Sequence, residues 1–238
     1  MLSLILFATL SLFTYTAIDN VRDKSAEVMK DVEDSVYLVQ NQVGRGTGWV
    51  TITKGGTKVM VTNVHVCDSP IPFMWTEKNG VRTLLRVLAK DSKHDICIMT
   101  APTGAVPLKL AHVVHAEETV YAVGFPIIEF MSSNKGLTKG LSRLEIEYDT
   151  PLEKCKGKKH EIRRTRQQHD NGTTTVENTC WFVGTVLVTT ANTDAGGSGS
   201  PILNRNEEVV AMVMVTTGNI AWGQGVPLSA IKEFLNKY

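Results

Sequence analysis

The stretch Val59-Met60-Val61-Thr62-Asn63-Val64-His65-Val66 joins a run of apolar, mostly β-branched residues to a histidine. β-branched side chains favour strands because they pack well on a pleated surface. The stretch therefore predicts a buried strand that holds the imidazole of His65 at the edge of a rigid sheet. A side chain held in this way has the fixed position that a general base requires. A lone histidine at a strand end is more often structural, so its partners decide between the two interpretations.

Short runs of the same character recur along the rest of the chain. Turn signals such as Gly55-Gly56 and Asn79-Gly80 separate them, and helical periodicity is confined to residues 228–238. There, Ile231, Phe234 and Leu235 share one face. Many short strands with few helices are typical of an all-β barrel or sandwich. The predicted strands cover residues 36–40, 49–53, 59–62, 96–99, 119–123, 183–189 and 209–215.

Length and charge limit the classes of protein that fit. A chain of 238 residues is long enough for one sizeable all-β domain, or for two small barrels that share a cleft. Its formal net charge is +1 and 21% of its residues are charged, which indicates neither a general nucleic-acid binder nor a disordered chain. Any basic surface for a partner must therefore be local.

Residues 1–18 carry no charged side chain and are mostly apolar. They predict an apolar helix that serves as a signal peptide or a membrane anchor, followed by a linker or short helix over residues 19–34. Tyr15-Thr16-Ala17 is a poor cleavage site and no Lys or Arg precedes the run. Eighteen helical residues span about 27 Å, barely the thickness of a bilayer core. We expect an exported or membrane-anchored protein (secreted, periplasmic or membrane-associated), with a buried core helix as the alternative.

Four cysteines are too few for a disulfide scaffold but are compatible with an oxidising compartment. Their spacing does not fit a metal site, and we expect no metal and no other cofactor. Cys155 and Cys180 bracket one polar segment, so a bridge between them is the preferred pairing. Cys67 and Cys97 lie on segments expected to be neighbours in the fold. Four free, largely buried thiols are the alternative.

One segment differs in charge from the rest of the chain. Residues 154–166 contain seven Lys or Arg against the single acidic residue Glu161. We call residues 154–177 the basic insertion and predict a surface loop or hairpin between two strands. A solvated loop is the simplest interpretation. The alternative is a positive patch for an acidic partner, nucleic acid or anionic lipid, although nothing makes nucleic acid obligatory.

A second chemical signal is the turn Asp194-Ala195-Gly196-Gly197-Ser198-Gly199-Ser200-Pro201. A nucleophilic serine must project from a tight turn, and glycines permit both the unusual dihedrals and the close approach of a substrate. The backbone N–H groups of Gly196 and Ser198 are candidate donors to a developing oxyanion. Glycine and serine are also common in ordinary loops, so this turn is weak evidence by itself.

Asp95 opens the apolar run Asp95-Ile96-Cys97-Ile98-Met99. A carboxylate at the mouth of a buried strand can be partly desolvated and still accept a hydrogen bond from an imidazole. Asp91 and Asp194 are rivals, but only Asp95 abuts the apolar strand. We therefore predict that Asp95 orients His65, with a plain turn or cap residue as the alternative.

Three motifs in this order carry a resemblance to a known family. Thr62-Asn63-Val64-His65-Val66, Asp95-Ile96-Cys97-Ile98 and Gly196-Gly197-Ser198-Gly199-Ser200-Pro201 resemble the chymotrypsin-like clan, in particular its HtrA-like (Deg) trypsin-like peptidases. Further similarities lie at Gly46-Thr47-Gly48-Trp49-Val50, Val120-Tyr121-Ala122-Val123-Gly124-Phe125-Pro126 and Gly223-Gln224-Gly225-Val226-Pro227. The match covers residues 35–238 apart from the basic insertion.

The resemblance implies a protease domain over residues 35–238. We expect an all-β fold of two six-stranded antiparallel barrels, over about residues 35–110 and 117–227, with a C-terminal helix over about 228–238. It also implies a serine endopeptidase with Ser198 as nucleophile, His65 as general base and Asp95 as orienting carboxylate. Protein or polyprotein substrates follow. The alternative is an inactive protease-fold binding module that uses the basic insertion.

The sequence departs from the family pattern at two positions. Gly197 replaces the usual Asn or Asp before the nucleophile, and Ser200 replaces the second glycine after it. Without a carboxylate at position 197, activation by a freed N-terminus is not expected. Gly197 also makes the turn more flexible, so that the oxyanion hole forms fully only on substrate binding. We expect no PDZ domain, and compact viral and phage proteases have similar serine motifs.

Family geometry places the specificity pocket near Asn192, Val215 and Thr216, none of which is charged. We therefore expect cleavage after small or medium uncharged residues rather than after Lys or Arg. The segment 213–217 would bind the substrate backbone by β-addition. The order His, Asp, Ser does not fit an α/β-hydrolase esterase, whose order is Ser, acid, His.

Overall fold

Two antiparallel sheets, one in each half of the chain, dominate the computed structural model. It describes residues 24–42, 44–68, 74–126, 130–148, 160–168, 172–191, 196–215 and 223–238. The predicted apolar helix over residues 1–18 lies outside these ranges. The first sheet consists of β1 (Val36–Gln40), β2 (Arg45–Ile52), β3 (Lys58–Thr62), β4 (Met74–Lys78), β5 (Val81–Leu85), β6 (Val87–Asp91) and β7 (Ile96–Thr100).

The first sheet curls into a barrel whose two edge strands follow each other in the chain. Its strand order is β5-β4-β1-β2-β3-β7-β6, and only Arg86 separates β5 from β6. The backbone of Arg86 makes two hydrogen bonds to Thr100, the last residue of β7. Its N–H donates to Thr100 Oγ1 and its carbonyl accepts the Thr100 N–H, both at 2.9 Å. Strands β5 and β6 thus act as one bent strand, so seven segments form the six-stranded barrel that the sequence predicts.

The second sheet is closed by hydrogen bonds. Strand β9 pairs both with β8 and with β11, which completes a ring of six strands. The seventh strand, β10, pairs with the outer part of β11 and forms a hairpin at the basic insertion. The strands are β8 (Thr119–Gly124), β9 (Ser132–Tyr148), β10 (His160–Gln168), β11 (Thr174–Thr189), β12 (Pro201–Leu203), β13 (Val209–Val215) and β14 (Gly223–Pro227).

Three helices are described: α1 (Ser25–Asp31), α2 (Val64–Cys67) and α3 (Leu228–Leu235). Helix α3 begins directly after Pro227, whose extended backbone ends β14. Its predicted apolar face is buried: Ile231, Phe234 and Leu235 are at most 3% exposed. They join one core cluster with residues from both barrels, including Trp49 and Met212. The predicted all-β two-barrel fold with a C-terminal helix is therefore confirmed.

None of the helices within the described ranges is long and apolar enough to cross a membrane. Helix α1 is short and packs Val28, which is 3% exposed, into the core shared with the barrels.

Candidate active site

His65 lies on helix α2, a single turn that follows β3 and precedes β4 in the chain. Strand β3 ends at Thr62, as predicted, so His65 lies beyond the strand, on a helical turn, rather than at the edge of the sheet itself. The physical reason is a set of long-range hydrogen bonds to the carbonyl of Asp95. Asn63 Nδ2 donates to that oxygen at 3.0 Å and the Val64 N–H donates at 3.3 Å. These bonds turn the chain out of the strand ladder and place His65 opposite Asp95.

The carboxylate of Asp95 holds His65 by both its backbone and its ring. Asp95 Oδ1 accepts the His65 N–H at 3.1 Å, and Oδ2 lies 2.7 Å from Nδ1. The Asp95 side chain is 17% exposed and that of His65 is 47% exposed. The imidazole is therefore anchored on its Nδ1 side and reachable by solvent elsewhere. This is the orientation in which Nε2 is available to accept a proton.

The backbone of Asp95 adopts a left-handed conformation, with φ of 58°. Asp and Asn occupy this region more readily than other residues with a side chain. The conformation lets the carbonyl of Asp95 accept bonds from the β3–α2 junction while its side chain reaches His65. Asp95 thus has two positional roles: its backbone carbonyl holds the β3–α2 junction, and its carboxylate holds His65.

A disulfide joins the two segments that carry His65 and Asp95. Cys67 and Cys97 each follow one of these residues by two positions, and their Cα atoms are 6.6 Å apart. The alternative of four free thiols is therefore wrong. The preferred Cys155–Cys180 pairing stays a prediction, because Cys155 and the Cys180 side chain lie outside what the structure describes. The bridge and the Asp95 contacts hold α2 against β7 from two sides.

We expect the Cys67–Cys97 bridge to stabilise the fold. It closes a segment with a sequence separation of 30, for which loop-closure entropy predicts about 3 to 4 kcal/mol. The double variant Cys67→Ala/Cys97→Ala should lose about this free energy of unfolding in urea. When both proteins are treated with a reductant, the wild type and the double variant should have about the same stability, because neither then carries the Cys67–Cys97 bridge. Equal stabilities of the oxidised wild type and the variant would contradict the expectation.

Asp91, the rival carboxylate, binds a different histidine. Its Oδ2 lies 2.7 Å from His94 Nδ1, and both side chains are mostly buried. Burial raises the pKa of Asp91, but the hydrogen bond and the positive charge of His94 outweigh burial and hold that pKa below its usual value. The structure therefore pairs Asp91 with His94 and leaves Asp95 to His65.

This pair predicts a dependence of stability on pH. An aspartate whose pKa is lower in the folded state than its unfolded value of about 3.9 stabilises the fold at neutral pH. That contribution is lost as the pH falls through the folded-state pKa. Between about pH 5 and about pH 2, the free energy of unfolding should therefore fall more in the wild type than in Asp91→Asn. Urea unfolding across this window measures the difference, and identical pH profiles would contradict it.

The serine turn depends on glycine at two positions. Gly196 and Gly199 have φ of +90° and +85°, where residues with a side chain are strained. A Cβ on Gly199 would also lie 2.1 Å from the Thr47 carbonyl oxygen, and one on Gly196 would lie 2.8 Å from the Phe125 carbonyl oxygen. The turn is closed by the Ser200 N–H, which donates to the Gly197 carbonyl at 3.0 Å. A larger residue at Gly199 would collide with Thr47 of the first barrel, and one at Gly196 would collide with the backbone of Phe125.

Ser198 lies half-buried where the two barrels meet. Its Oγ is 3.5 Å from the carbonyl oxygen of Met214, and its own carbonyl accepts the Thr47 N–H at 2.8 Å. Toward the described part of the chain, the N–H groups of Gly196 and Ser198 make no hydrogen bond.

The turn adjoins the segment that carries His65. A Cβ on Gly46 would lie 2.7 Å from the Val66 side chain and 3.0 Å from the Ser198 carbonyl oxygen. Val66 directly follows His65, so the structure brings the histidine segment and the serine turn to the same glycine of β2. Of the residues expected to line the specificity pocket, Asn192 and Thr216 lie outside the described ranges. Val215 ends β13, and its side chain is not described.

Sequence reasoning missed two residues that build this site. Asn63 fixes the turn before His65, and Thr47 contacts the serine turn through its backbone and its side chain. Thr47 lies in the Gly46-Thr47-Gly48 motif, and a hydroxyl between two glycines is the signal that could have found it. The contribution of Asn63 depends on a carbonyl 32 positions away, which no local pattern reveals.

Two β-barrels that hold a His–Asp pair beside a glycine-flanked serine define the class of trypsin-like peptidases. The family model described as the trypsin-like peptidase domain matches residues 46–212. The chain belongs to this family, and it is a protease by that membership. The predicted family resemblance is confirmed. No curated protein matches the chain in sequence.

Solved structures of bacterial proteases share the fold. A mutant of Rv3671c from M. tuberculosis H37Rv, in its inactive form, superposes with a TM-score of 0.64 at 18% identity, covering 88% of this chain and 89% of that one. The active form of Rv3671c protease gives 0.63 at 18% identity, with 88% and 83% covered. The serine endoprotease from Yersinia pestis gives 0.61 at 15% identity, with 89% and 66% covered. At these identities the likeness shows the fold.

Proposed function

We propose that the chain is a serine endopeptidase in which Ser198 is the nucleophile, His65 the general base and Asp95 the carboxylate that orients His65. The observation that carries the proposal is the 2.7 Å contact between His65 Nδ1 and Asp95 Oδ2, located beside the serine turn. A carboxylate on Nδ1 selects the tautomer whose Nε2 accepts a proton. Family membership supplies the class of substrate, which is a protein or peptide.

The reaction follows as acyl transfer. His65 Nε2 takes the proton from Ser198 Oγ as that oxygen bonds to the carbonyl carbon of the scissile peptide. The N–H groups of Gly196 and Ser198 then hold the oxyanion. The imidazolium returns the proton to the leaving nitrogen as the C–N bond breaks. Water, deprotonated by His65, attacks the acyl-enzyme and restores Ser198.

The Ser198 side chain must rotate before this reaction, because its Oγ first has to leave the Met214 carbonyl. Ser198 Oγ donates to the Met214 carbonyl at 3.5 Å, which is long for a hydrogen bond between two oxygens. Leaving so weak a bond costs little, and catalytic contacts often tighten only when substrate binds. The Met214 carbonyl is then available to a substrate N–H next to the scissile bond. This contact supports β-addition of the substrate along residues 213–217.

We further propose that cleavage follows small or medium uncharged residues. The support is the neutral character of Asn192, Val215 and Thr216. The test is a library of peptides that differ only in the residue before a common scissile bond, with cleaved products identified by mass spectrometry. Peptides with Ala or Val at that position should be cleaved, while those with Lys or Arg serve as matched controls. Preference for the basic peptides would overturn the specificity, and no cleavage of any peptide would overturn the endopeptidase assignment.

Two proposals concern partners and location. Residues 1–18 carry no charged side chain and are mostly apolar, which supports an exported or membrane-anchored protein; fractionation of cells that produce the chain tests this. Strand β10, which belongs to the basic insertion, presents Arg164 and Arg166, both exposed. This surface supports an acidic protein partner. Binding to an acidic protein that weakens with added salt and with Arg164→Gln/Arg166→Gln would agree with it, and unchanged binding would not.

A further inference from the structure

Thr47, in the first barrel, makes hydrogen bonds to two residues of the serine turn. It is fully buried on strand β2. Its N–H donates to the Ser198 carbonyl at 2.8 Å, and its hydroxyl donates to the Gly196 carbonyl at 3.2 Å. One residue thus binds the nucleophile and the residue two positions before it.

We propose that Thr47 is a positioning residue for the oxyanion hole, and this inference rests on the proposed function. Gly196 and Gly197 are consecutive, and glycine occupies positive and negative φ about equally. The peptide between them can therefore turn over, which would exchange the positions of the Gly196 carbonyl and the Gly197 N–H. The bond from the Thr47 hydroxyl holds that carbonyl toward the first barrel. Because the 196–197 peptide links the Gly196 and Ser198 donors, holding it limits how these two N–H groups can turn relative to each other.

The direction of the Thr47 hydroxyl is itself fixed. Its oxygen accepts the Phe125 N–H at 2.9 Å. A hydroxyl has one hydrogen to donate, and with Phe125 occupying a lone pair that hydrogen goes to Gly196. Threonine is β-branched, so its χ1 is more restricted than that of serine. The contact is therefore part of the folded protein before any substrate arrives.

Thr47 also connects the serine turn to the strand that leads to His65. The Thr47 carbonyl accepts the Thr62 hydroxyl at 2.7 Å, and Thr62 is the last residue of β3. Gly124, at the end of β8, lets that strand approach Thr47 closely, since a Cβ on Gly124 would lie 2.8 Å from Thr47 Oγ1. A continuous series of hydrogen bonds thus runs from Thr62, at the end of β3, through Thr47 to the serine turn. Thr47 couples the two halves of the site across the barrel junction.

The test compares two buried threonines of the same strand. Thr47→Val keeps the shape of the side chain but removes both hydroxyl bonds. Thr51→Val is the matched control, because the Thr51 hydroxyl is equally buried and donates to the Leu108 carbonyl at 2.8 Å, outside the serine turn. Thr47→Ser restores the hydroxyl. Each variant is measured for kcat and KM on a cleaved peptide, and for affinity toward a peptide boronate that mimics the tetrahedral intermediate.

We expect Thr47→Val to lower kcat about 10- to 100-fold, less than the full loss of one oxyanion donor. Its affinity for the boronate should fall by a similar factor, whereas KM should change little. Thr47→Ser should restore most of both losses, and Thr51→Val should keep kcat near the wild-type value although it loses a comparable buried hydrogen bond. Equal kcat losses in Thr47→Val and Thr51→Val would overturn the inference, as would a loss confined to KM.

A second measurement separates this inference from the proposed function. Hydrogen exchange of the peptide that contains Ser198 should be faster in Thr47→Val than in Thr51→Val, whether or not the protein cleaves anything. If the wild type neither cleaves peptides nor binds the boronate, the proposed function fails, and exchange still decides whether Thr47 holds the turn. Unchanged exchange would overturn the positioning role. Thr47→Ala gives the same comparison if the valine variant does not fold.

Discussion

Replacing Ser198 with alanine is expected to lower kcat for peptide cleavage by about 10⁶-fold, the loss typical of a serine nucleophile removed from such a triad. The reason is that no acyl-enzyme forms without Oγ, and water must attack the peptide directly. The residual rate reflects substrate binding and the oxyanion donors, which the substitution leaves in place. Initial rates on a fluorogenic peptide measure the change, with the unfolding free energy of the variant as the check on folding.

The matched control for Ser198→Ala is the double variant Ser198→Ala/His65→Ala. The nucleophile and its base act as one unit, so the second substitution should cost little more than the first. A Ser198→Ala protein that keeps a tenth of the wild-type kcat would contradict the proposed nucleophile. A double variant that is much slower than either single variant would contradict the shared mechanism.

Asp95→Asn is expected to lower kcat by about 10⁴-fold with the fold intact. The asparagine amide fills the same space but can donate to Nδ1, which selects the tautomer whose Nε2 carries a proton. Such an imidazole cannot accept the serine proton. Asn also occupies the left-handed region, so the φ of 58° and the contacts of the Asp95 carbonyl with Asn63 and Val64 should persist.

Asp91→Asn is the control for this substitution. Asp91 makes the same type of contact with a histidine, at the same distance of 2.7 Å, but its partner is His94. Its replacement should leave kcat close to the wild-type value. Equal losses of kcat in the two variants would show that charge near the site matters, rather than the orientation of His65. A loss of kcat only in Asp91→Asn would show that Asp91, and not Asp95, is the carboxylate that catalysis requires.

Much of the fold could be predicted from local patterns. Continuous apolar runs rich in β-branched residues identified the strands near Val59 and Ile96, and the spacing of Ile231, Phe234 and Leu235 identified helix α3. These signals are strong because both strands are buried on both faces, whereas the helix buries one face. The division of one bent strand into β5 and β6 at Arg86 could not be predicted, because it depends on hydrogen bonds to Thr100 in β7.

The site was less predictable than the fold because its geometry depends on contacts between distant segments. Helix α2 has only four residues, too few for helical periodicity, and it forms because Asn63 and Val64 bind the Asp95 carbonyl. The Cys67–Cys97 bridge was not preferred although its two segments were expected to be neighbours, because the 6.6 Å between the two Cα atoms depends on how α2 packs against β7. Thr47 was seen only as part of a strand motif, because its partners Gly196, Ser198 and Phe125 belong to the other barrel.

The most direct test of the central claim is to locate the covalent adduct of a fluorophosphonate. The probe reacts with a serine only when a neighbouring base activates it, so labelling reports the assembled site rather than the presence of a serine. Wild-type protein is incubated with the probe, digested and mapped by mass spectrometry. We expect one adduct, on Ser198, which disappears in His65→Ala. A folded protein that takes up no probe, or carries it on Ser200 or another residue, would contradict the account.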